Sequence, residues 1–443
     1  MLAAVHLPES RFDVRDPLGE LRSLVETAGA TVVGELTQNR QRPEAGTFMG
    51  KGKIEELKAM CDELGAGVVV FDHELSPKQI AAIEEVIERK VLDRSELILD
   101  IFAGRATTHE AKLQVELAQL QYTFPRLRAM WDHLERIVGN GGIGGIGTRG
   151  PGEQQLEIDR RLVQKRTLAL QRELKEIQAR KSREVRERNL DSFTVGIVGY
   201  TNAGKSTLFN TLTSGGAFAN DQLFATLMTR TREWPLGGGL SVMLSDTVGF
   251  VRDLPTNLVA SFKATLEEAT HANLLLVVLD VSDPGAELQY DTVMNVLDEL
   301  MDGVRESEER EGRTYTPPER LVLLNKADRL RDNSELLIWQ SKIGGRDGLP
   351  GSIAFSALQR DGIGHAELID RVRSLARGRV SEMEITLPLS ESRAISVIEK
   401  QGEVLDRTYG DGTVTLTTRL GDRQVARLLA GGTKMTVRER AAR

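Results

Sequence analysis

The fold is decided by one stretch of the sequence, Gly199-Tyr200-Thr201-Asn202-Ala203-Gly204-Lys205-Ser206. It matches G-x-x-x-x-G-K-[ST], the phosphate-binding P-loop. An apolar segment typical of a buried strand precedes it at 193–198, and an apolar-periodic segment typical of a helix follows it at 207–212. Small residues allow backbone N–H groups to surround phosphates, and the helix start adds the positive end of its dipole. The sequence therefore predicts a nucleotide-binding α/β domain around this loop, and a glycine turn that binds nothing is the disfavoured alternative.

The same loop assigns roles to individual side chains. Lys205 is expected to reach the β- and γ-phosphates, and Ser206 to bind Mg²⁺. The amide oxygen of Asn202 offers a ligand for a monovalent cation such as K⁺ beside the phosphates. The residues of this segment predicted to bind the nucleotide are Gly199, Tyr200, Thr201, Asn202, Ala203, Gly204, Lys205, Ser206 and Thr207.

A second motif, Asp246-Thr247-Val248-Gly249, follows a predicted strand at 240–244. An aspartate at the end of a strand near the P-loop suits the binding of Mg²⁺, and Gly249 allows the backbone to approach the γ-phosphate. All four residues are predicted to lie against the nucleotide, and Gly249 is expected to act in catalysis together with Lys205. The next residue is Phe250, where signalling GTPases carry a glutamine that orients water. We therefore expect slow hydrolysis by the protein alone.

The base is selected by a third motif, Asn325-Lys326-Ala327-Asp328, which follows a predicted strand. Guanine presents its N1–H and its N2 amino group side by side, and the Asp328 carboxylate can accept both hydrogen bonds. Adenine lacks this pair of donors and would leave the carboxylate unpaired. Ser356-Ala357-Leu358 follows another predicted strand, and the Ala357 N–H is expected to donate to guanine O6. In this order, the motifs predict a domain that binds and hydrolyses GTP with Mg²⁺.

A segment between the first two motifs, Phe224-Ala225-Thr226-Leu227-Met228, supplies a candidate switch loop. Thr226 is predicted to bind Mg²⁺ together with Ser206 and Asp246, and to take part in catalysis. Loops of this kind are ordered by the γ-phosphate and released after hydrolysis. All five residues are predicted to contact the nucleotide.

Composition bounds the class of protein. A length of 443 residues suggests about three domains, and 40% hydrophobic with 28% charged residues is ordinary for a globular protein. The net charge of −7 carries no global signature of nucleic-acid binding, and a single cysteine, Cys61, excludes an internal disulfide framework and a cysteine-rich zinc site. No signal peptide is visible, and the longest apolar run, at 274–279, is too short to span a membrane. We expect a cytoplasmic monomer with no membrane span.

Residues 1–105 are predicted to form a small α/β domain. Its predicted elements are strands at 30–34 and 67–71 and helices at 51–64 and 76–89. A glycine cluster at 47–53 lacks the spacing of a P-loop, so a turn that caps a helix is the favoured interpretation. An anion site made by Lys51, Lys53 and the helix start is the alternative.

Residues 106–190 are predicted to form a helical hairpin with a glycine-rich tip at 141–152. The apolar stripe of the first helix consists of Leu113, Leu117, Leu120 and Phe124, and that of the second of Leu156, Val163, Leu170, Leu174 and Ile177. These stripes can pack as an antiparallel pair. Glycine at the tip costs conformational entropy and adds no packing. The tip is therefore either a loose connector or a segment that enters a narrow place.

The second helix of this hairpin is strongly basic over residues 160–188. Its cationic residues are Arg160, Arg161, Lys165, Arg166, Arg172, Lys175, Arg180, Lys181, Arg183, Arg186 and Arg188. A solvated coiled-coil face and a stripe that follows nucleic-acid phosphates are both open interpretations of these charges.

The remaining segments complete the predicted organisation. Residues 191–378 form the GTP-binding domain, and residues 379–443 form a small α+β domain. In the latter, strands are expected at 384–389 and 412–420 and helices at 390–401 and 423–429. The expected fold class is α/β: a P-loop GTPase domain with a parallel-sheet, Ras-like core, preceded by a small α/β domain with a long helical hairpin and followed by the small α+β domain.

With these motifs in place, the chain resembles the HflX family of translational GTPases over essentially its whole length. The segments that carry the resemblance are Gly50-Lys51-Gly52-Lys53-Ile54-Glu55-Glu56-Leu57, Val91-Leu92-Asp93-Arg94, the loop from Gly141 to Glu153, the P-loop, Leu223-Phe224-Ala225-Thr226-Leu227, Asp246-Thr247-Val248-Gly249-Phe250 and Asn325-Lys326-Ala327-Asp328. The resemblance implies a ribosome-associated GTPase that binds the large ribosomal subunit and splits or rescues stalled or idle ribosomes. It also implies that the tip from Gly141 to Gly152 reaches toward ribosomal RNA of the peptidyl-transferase region.

The chain departs from the family pattern in the switch segment. Family members usually continue Thr-Leu-Asp-Pro-Thr, whereas this chain has Thr226-Leu227-Met228-Thr229-Arg230. Thr226 still matches the metal ligand, but the closed shape of the switch is not carried over.

Two other functions stay open from the sequence. One is a GTPase that acts in assembly or surveillance of the large subunit, and the other is a signalling switch whose hairpin binds a protein partner. A membrane-bound switch would need an apolar amphipathic tip, and the tip supplies only Ile143 and Ile146.

Overall fold

A computed structural model of the chain divides into two compact units. It describes residues 1–8, 15–139, 151–213, 229–238, 240–252, 268–344, 351–358, 362–378, 380–410, 412–430 and 432–439. The first unit holds the described residues up to Ala179 together with Val251 and Arg252, and the second holds the others. Across these ranges, no helix combines the length and the apolar character that crossing a membrane requires.

The first unit begins with a parallel sheet covered by helices. Its elements are β1 (Leu2–His6), α1 (Gly19–Thr27), β2 (Glu35–Asn39), α2 (Lys51–Leu64), β3 (Val68–Phe71), α3 (Pro77–Ile87), β4 (Lys90–Asp93) and α4 (Arg94–Arg105). The strand order is β2-β1-β3-β4, and all neighbours pair parallel. An apolar core that includes Val5, Ile54, Phe71 and Ile83 joins the sheet to α2 and α3. The alternation of strand and helix patterns thus predicted the fold class correctly.

One strand differs from its predicted position. A strand was expected at 30–34, whereas β2 begins at Glu35, which pairs with Leu2 of β1. β2 lies at the edge of the sheet, and Leu36 is its one buried residue. The prediction was wrong because Val32 and Val33, which suggested a strand, lie before it, while the edge strand itself is mostly polar.

Two long helices complete the first unit's fold, α5 (His109–Gly139) and the beginning of α6 (Pro151–Asp191). The core between them consists of Leu113, Leu117, Leu170 and Leu174, flanked by Leu120 and Ile177. A hydrogen bond joins His109 to Glu173, and an ion pair joins Glu116 to Arg166. From the first pair to the second, the residue number rises along α5 and falls along α6, so the two helices run antiparallel. Their apolar stripes predicted this arrangement. Of the predicted tip, residues 141–150 lie outside the described residues.

The second unit is built on a mostly parallel sheet. Its elements are β5 (Thr194–Gly199), α7 (Lys205–Thr213), β6 (Arg230–Gly237), β7 (Leu240–Asp246), β8 (Leu274–Asp280), α8 (Ala286–Arg310), β9 (Glu319–Asn325), a 3-10 helix (Ala327–Arg329), α9 (Asn333–Gly344), β10 (Ser352–Ala354) and α10 (His365–Arg377). The strand order is β10-β9-β8-β5-β7-β6, in which β6 and β7 pair antiparallel and the other neighbours pair parallel. The P-loop strand β5 is buried along its whole length. Loops at the carboxyl end of such a central strand are where open α/β sheets hold ligands.

The C-terminal residues form another sheet within the second unit. Its elements are β11 (Val380–Pro388), α11 (Ser392–Gln401), β12 (Glu403–Gly410), β13 (Thr413–Gly421), α12 (Asp422–Ala430) and β14 (Thr436–Glu439). The order β12-β13-β11-β14 is antiparallel throughout, and the chain order of strands and helices is that of a ferredoxin-like split βαβ fold. Residues such as Ile385, Ile398 and Leu416 form its core. The predicted α+β arrangement is confirmed, and β12 and β14 are edge strands that the sequence patterns missed.

Two arginines of α12 cap the C-terminal end of α10. Arg423 Nη1 donates to the Leu375 carbonyl over 3.1 Å, and Arg427 Nη2 donates to the Ala376 carbonyl over 2.7 Å. Cations at this end of a helix are stabilising because they meet the negative end of its dipole. The Arg427 guanidinium also lies 5.4 Å from the centre of the Phe193 ring, beside β5. These contacts tie the C-terminal sheet to the larger sheet of the same unit.

The predicted domain boundaries stay predictions. They were expected after residues 105, 190 and 378, whereas the division between the two units falls inside α6, between Ala179 and Arg180.

Candidate nucleotide-binding site

The P-loop lies where β5 ends and α7 begins. Gly199 and Gly204 have φ angles of +153° and +96°, a region that side-chain-bearing residues rarely adopt. A Cβ atom on Gly199 would collide with the Val278 carbonyl, and one on Gly204 with the side chain of Asn325. These contacts explain why the two fixed positions of the motif carry glycine. Asn202 also has a positive φ, 60°, which asparagine adopts more readily than most residues.

Lys205 is buried at the start of α7. Its Nζ donates to the Tyr200 carbonyl over 2.5 Å. Burial lowers the pKa of the ammonium group from 10.5 to about 8, and the Asp246 carboxylate partly opposes this shift. A cation at the start of a P-loop helix faces the position that phosphates take in such proteins. This placement suits the predicted role of Lys205 toward the β- and γ-phosphates.

Ser206 and Asp246 bring oxygen ligands together. Ser206 Oγ donates to Asp246 Oδ2 over 3.1 Å, and Asp246 is buried at the end of β7. Hydroxyl and carboxylate oxygens are the ligands that Mg²⁺ takes beside nucleotide phosphates, so the pair fits the predicted metal. The described ranges contain no cluster of three or more His, Cys, Asp and Glu side chains suited to a metal.

Five predicted site residues cannot be placed. Phe224, Ala225, Thr226, Leu227 and Met228 lie outside the described residues, and their roles stay predictions.

Gly249 marks the closest approach of the second motif to the P-loop. A Cβ atom there would lie 2.8 Å from Thr201 Cγ2 and 3.0 Å from Lys205 Nζ. Any side chain at this position would therefore displace the loop or the ammonium group. The Thr247 hydroxyl donates to the Ile197 carbonyl over 2.7 Å, so this side chain stabilises the contact with β5. The Val248 side chain is also buried. Only the backbone groups of Thr247 and Val248 are therefore available to a nucleotide.

Phe250 lies on the P-loop through its backbone. Its N–H donates to the Gly199 carbonyl over 3.1 Å, and its carbonyl accepts from the Thr201 N–H over 2.8 Å. The phenyl ring is buried, with 2% of the residue exposed. A buried ring cannot orient an attacking water, which agrees with the expectation of slow hydrolysis by the protein alone.

Asn325 links the P-loop to the loop after β10. Its Nδ2 donates to the Ala203 carbonyl over 2.7 Å, and its Oδ1 accepts from the Ala357 N–H over 3.1 Å. The Ala357 N–H was predicted to donate to guanine O6, and here Asn325 already engages it. Binding of O6 would require this N–H to be shared or to turn toward the base.

Asp328 lies in the 3-10 helix directly after β9 and is exposed. Its carboxylate is therefore accessible to a base that enters from solvent. Ser356 and Ala357 are buried, and Leu358 is 67% exposed. Because β5, β9 and β10 are parallel, their carboxyl ends meet at one edge of the sheet. The phosphate-binding loop and the base-selecting residues therefore share that edge.

Sequence reasoning missed Asp280, the last residue of β8. Its Oδ2 lies 2.5 Å from Lys326 Nζ, which also donates to the Asn202 carbonyl over 3.1 Å. Lys326 has a positive φ of 59°, a conformation that costs about 1 kcal/mol for a residue with a side chain. The ion pair holds this lysine against the P-loop. No sequence signal could have found it, because the pairing of β8 with β9 alone brings the two residues together.

The P-loop and the Asn325-Lys326-Ala327-Asp328 motif at one edge of a mostly parallel sheet are the arrangement of the P-loop GTPases. Proteins named GTPase HflX are similar along nearly all of it: the one from Lacrimispora saccharolytica is 41% identical over 406 residues, covering 90% of this chain and 88% of the relative. The one from Escherichia coli is 39% identical over 420 residues, covering 94% of this chain and 92% of the relative. The chain belongs to the HflX family of GTPases.

Family profiles match three consecutive segments. A profile described as "GTP-binding GTPase N-terminal" matches residues 15–103, one described as "GTP-binding GTPase Middle Region" matches 105–188, and one described as "50S ribosome-binding GTPase" matches 194–326. Among solved structures, a GTP-binding protein from Sulfolobus solfataricus in complex with GDP is 25% identical, with a TM-score of 0.43 over 85% of this chain and 98% of that one.

Proposed function

We propose that this GTPase binds the large ribosomal subunit and uses GTP binding and hydrolysis to split or rescue stalled or idle ribosomes. The observation that carries the proposal is the antiparallel packing of α5 and α6, in which the basic helix is the one that follows the glycine-rich residues 141–152 in the sequence. Lys165, Arg172 and Lys175 are among its exposed cations. Cations in a row along a helix can follow RNA phosphates, with an affinity that falls as salt rises.

Apolar side chains on the same helix support a macromolecular partner. Ile158, Leu162 and Leu168 are 51%, 60% and 54% exposed. Ile158, Leu162 and Lys165 are spaced so that they share one face of α6. An exposed face that combines large apolar groups with cations favours contact with a large partner over contact with water alone. The family profile named for 50S binding agrees with a ribosomal partner.

The site residues have defined parts in the proposed cycle. Lys205 and the P-loop amides bind the phosphates, Asp328 selects guanine, and Ser206 and Asp246, with Thr226, are the ligands for Mg²⁺. Bound Mg²⁺ would neutralise charge that develops on the phosphates. K⁺ beside Asn202 is a further candidate ion. Since Phe250 cannot orient water, we expect the large subunit to accelerate hydrolysis. We also propose that the enzyme is a monomer and acts in the cytoplasm.

Sedimentation with intact ribosomes tests the proposal. With GTP, the protein should sediment with the large subunit, and the fraction of intact ribosomes should fall; with GDP, both effects should be weaker. Gly144→Trp should keep GTP affinity and melting temperature but lose splitting, because bulk at the tip blocks entry into a confined RNA site. Gly46→Trp is the matched control, since a Cβ atom at Gly46 meets no atom within 4 Å. Splitting at the wild-type rate by Gly144→Trp would make the tip a connector.

Assembly or surveillance of the large subunit is the second candidate, favoured by the same basic helix. It predicts binding to isolated large subunits in GTP without any loss of intact ribosomes. A signalling switch with a protein partner predicts no sedimentation with ribosomes or subunits in either nucleotide.

A further inference from the structure

A cleft lies within the second unit, where the larger sheet and the C-terminal sheet meet. It is bounded by the turn between β6 and β7, the end of α10, the end of α11 and the beginning of α12. Its volume is about 220 Å³. The charged and amide side chains that line it are Arg377, Gln401, Glu403, Arg419 and Gln424. None of these residues belongs to a nucleotide-binding motif.

Arg377, the last residue of α10, has a buried donor without an acceptor. Its Nε is shielded from solvent and has no hydrogen-bond partner. Within the part of the chain that the structure describes, the Arg377 guanidinium also forms no ion pair. It lies beside the turn between β6 and β7, since a Cβ atom at Gly238 would be 3.7 Å from Arg377 Nη2. A buried donor that lacks an acceptor is unfavourable, so this group needs one.

Three neighbouring arginines do have acceptors. Arg373, one turn earlier in α10, donates to the Leu236 carbonyl. Arg423 and Arg427 of α12 donate to the last carbonyls of α10. These three guanidinium groups are satisfied by the protein backbone, whereas Nε of Arg377 needs an acceptor that the described chain does not supply.

The carboxylate in the cleft does not meet this need. Glu403 Oε2 lies 3.4 Å from Arg419 Nη1, so these two charges pair with each other and the charge of Arg377 is left over. Gln401 adds further donors to the lining. Its Oε1 accepts from Gln424 Nε2 over 3.2 Å, which leaves the amide N–H groups of Gln401 available.

Guanidinium and amide donors together suit an oxyanion. A guanidinium group binds a phosphate or a carboxylate through two parallel N–H···O hydrogen bonds. Pockets for drug-sized ligands have volumes of roughly 300–1,000 Å³, so a cleft of this size suits a smaller molecule.

We propose that the cleft is a binding site for a small oxyanion, a phosphate or a carboxylate, which Arg377 recognises with Gln401 as the second donor. The bound anion joins the end of α10 to the C-terminal sheet and stabilises their contact. This site is separate from the nucleotide site and does not depend on the proposed action on ribosomes.

Inorganic phosphate and succinate test the proposal on the full chain saturated with GDP and Mg²⁺, so that the P-loop is occupied. Each anion is titrated by calorimetry at constant ionic strength, and the melting temperature is measured at the same concentrations. At least one of them should bind saturably and raise the melting temperature, and the one that does so identifies the anion as a phosphate or a carboxylate. If neither binds at concentrations up to about 20 mM, weaker than almost any specific site, the proposal is overturned.

Two variants assign the binding to the cleft. Arg377→Gln should weaken it about tenfold or more, because the charge-assisted hydrogen bonds are lost. Gln401→Glu should abolish it, because the new carboxylate supplies Arg377 with an acceptor and still accepts from Gln424; this variant decides the matter where Arg377→Gln does not fold. Arg371→Gln is the matched control, since it removes the same charge from an exposed position of the same helix, and it should bind as the wild type does. Wild-type affinity in a folded Arg377→Gln or Gln401→Glu variant overturns the proposal.

Discussion

Asn325 Nδ2 donates to the Ala203 carbonyl over 2.7 Å, so a side chain of the motif proposed to select the base is hydrogen-bonded directly to the P-loop. The other end of the same carboxamide accepts from the Ala357 N–H. With 1% of the residue exposed, neither hydrogen bond competes with water. The P-loop and the loop after β10 are therefore joined through one side chain.

Asn325→Ala should weaken GTP and GDP binding alike and lower the melting temperature. Each buried backbone group that loses its partner costs about 1–3 kcal/mol. Calorimetric affinities and thermal unfolding measure the two effects. Asn273→Ala is the control, because Asn273 also bridges backbone, accepting from the Thr194 N–H over 2.8 Å, away from the nucleotide site. It should lose stability and keep affinity; wild-type nucleotide affinity in Asn325→Ala would contradict the bridging role.

Asp280→Asn should weaken both guanine nucleotides by about tenfold without changing their ratio. The neutral amide no longer fixes Lys326, and charge-assisted hydrogen bonds contribute about 1.5–3 kcal/mol. Asp283→Asn is the control, since Asp283 accepts from the Gly285 N–H over 2.7 Å at the start of α8. A change in the ratio of GTP to GDP affinity would mean that Asp280 acts at the phosphates instead of at the base.

Asp328→Asn should change the base preference of the site from guanine to xanthine. The amide can donate to the C2 oxygen of xanthine but cannot accept both guanine donors, and mismatched polar groups at such a site cost about 100-fold or more in affinity. Competition of XTP and GTP against a fluorescent GTP analogue reports the exchange. Retained GTP affinity in the variant would show that another group recognises the base.

Nucleotide binding should weaken as the pH rises above about 8, the pKa to which burial lowers Lys205. Below that pH the ammonium is already charged, so binding takes up no proton there. Above it, Lys205 must take up a proton when the phosphates bind, and each further pH unit lowers the nucleotide affinity by up to about tenfold. GDP binding measured from about pH 7 to about pH 8.8, in buffers of different ionisation enthalpy, should show this proton uptake. A flat profile would mean that Lys205 stays charged throughout.

The parts of the site that sequence could predict are those encoded within a few consecutive residues. The P-loop glycines, Asp246 and Asp328 each sit in a short motif next to a buried strand, so local pattern and position were enough to propose roles for them, and these roles stay predictions. Asp280 carries no such pattern, because its partner comes from the neighbouring strand.

Three strands that the sequence patterns missed or misplaced have a different cause. β2, β12 and β14 are edge strands, and seven of the eight residues of β12 are exposed, so apolar patterns mark such strands only weakly. β1 was missed as well, although it lies between β2 and β3 and is buried over most of its length. Central strands such as β5 and β8 are buried along their length, and their apolar runs were recognised.

The capping of α10 by Arg423 and Arg427 has a mechanical consequence. Because side chains from α12 hold the last carbonyls of α10, the C-terminal sheet is anchored to the GTPase domain at this end of the helix. A chain cut after Gly378 would lose that anchor, leave the Leu375 and Ala376 carbonyls to solvent and remove the Arg427 guanidinium from the Phe193 ring.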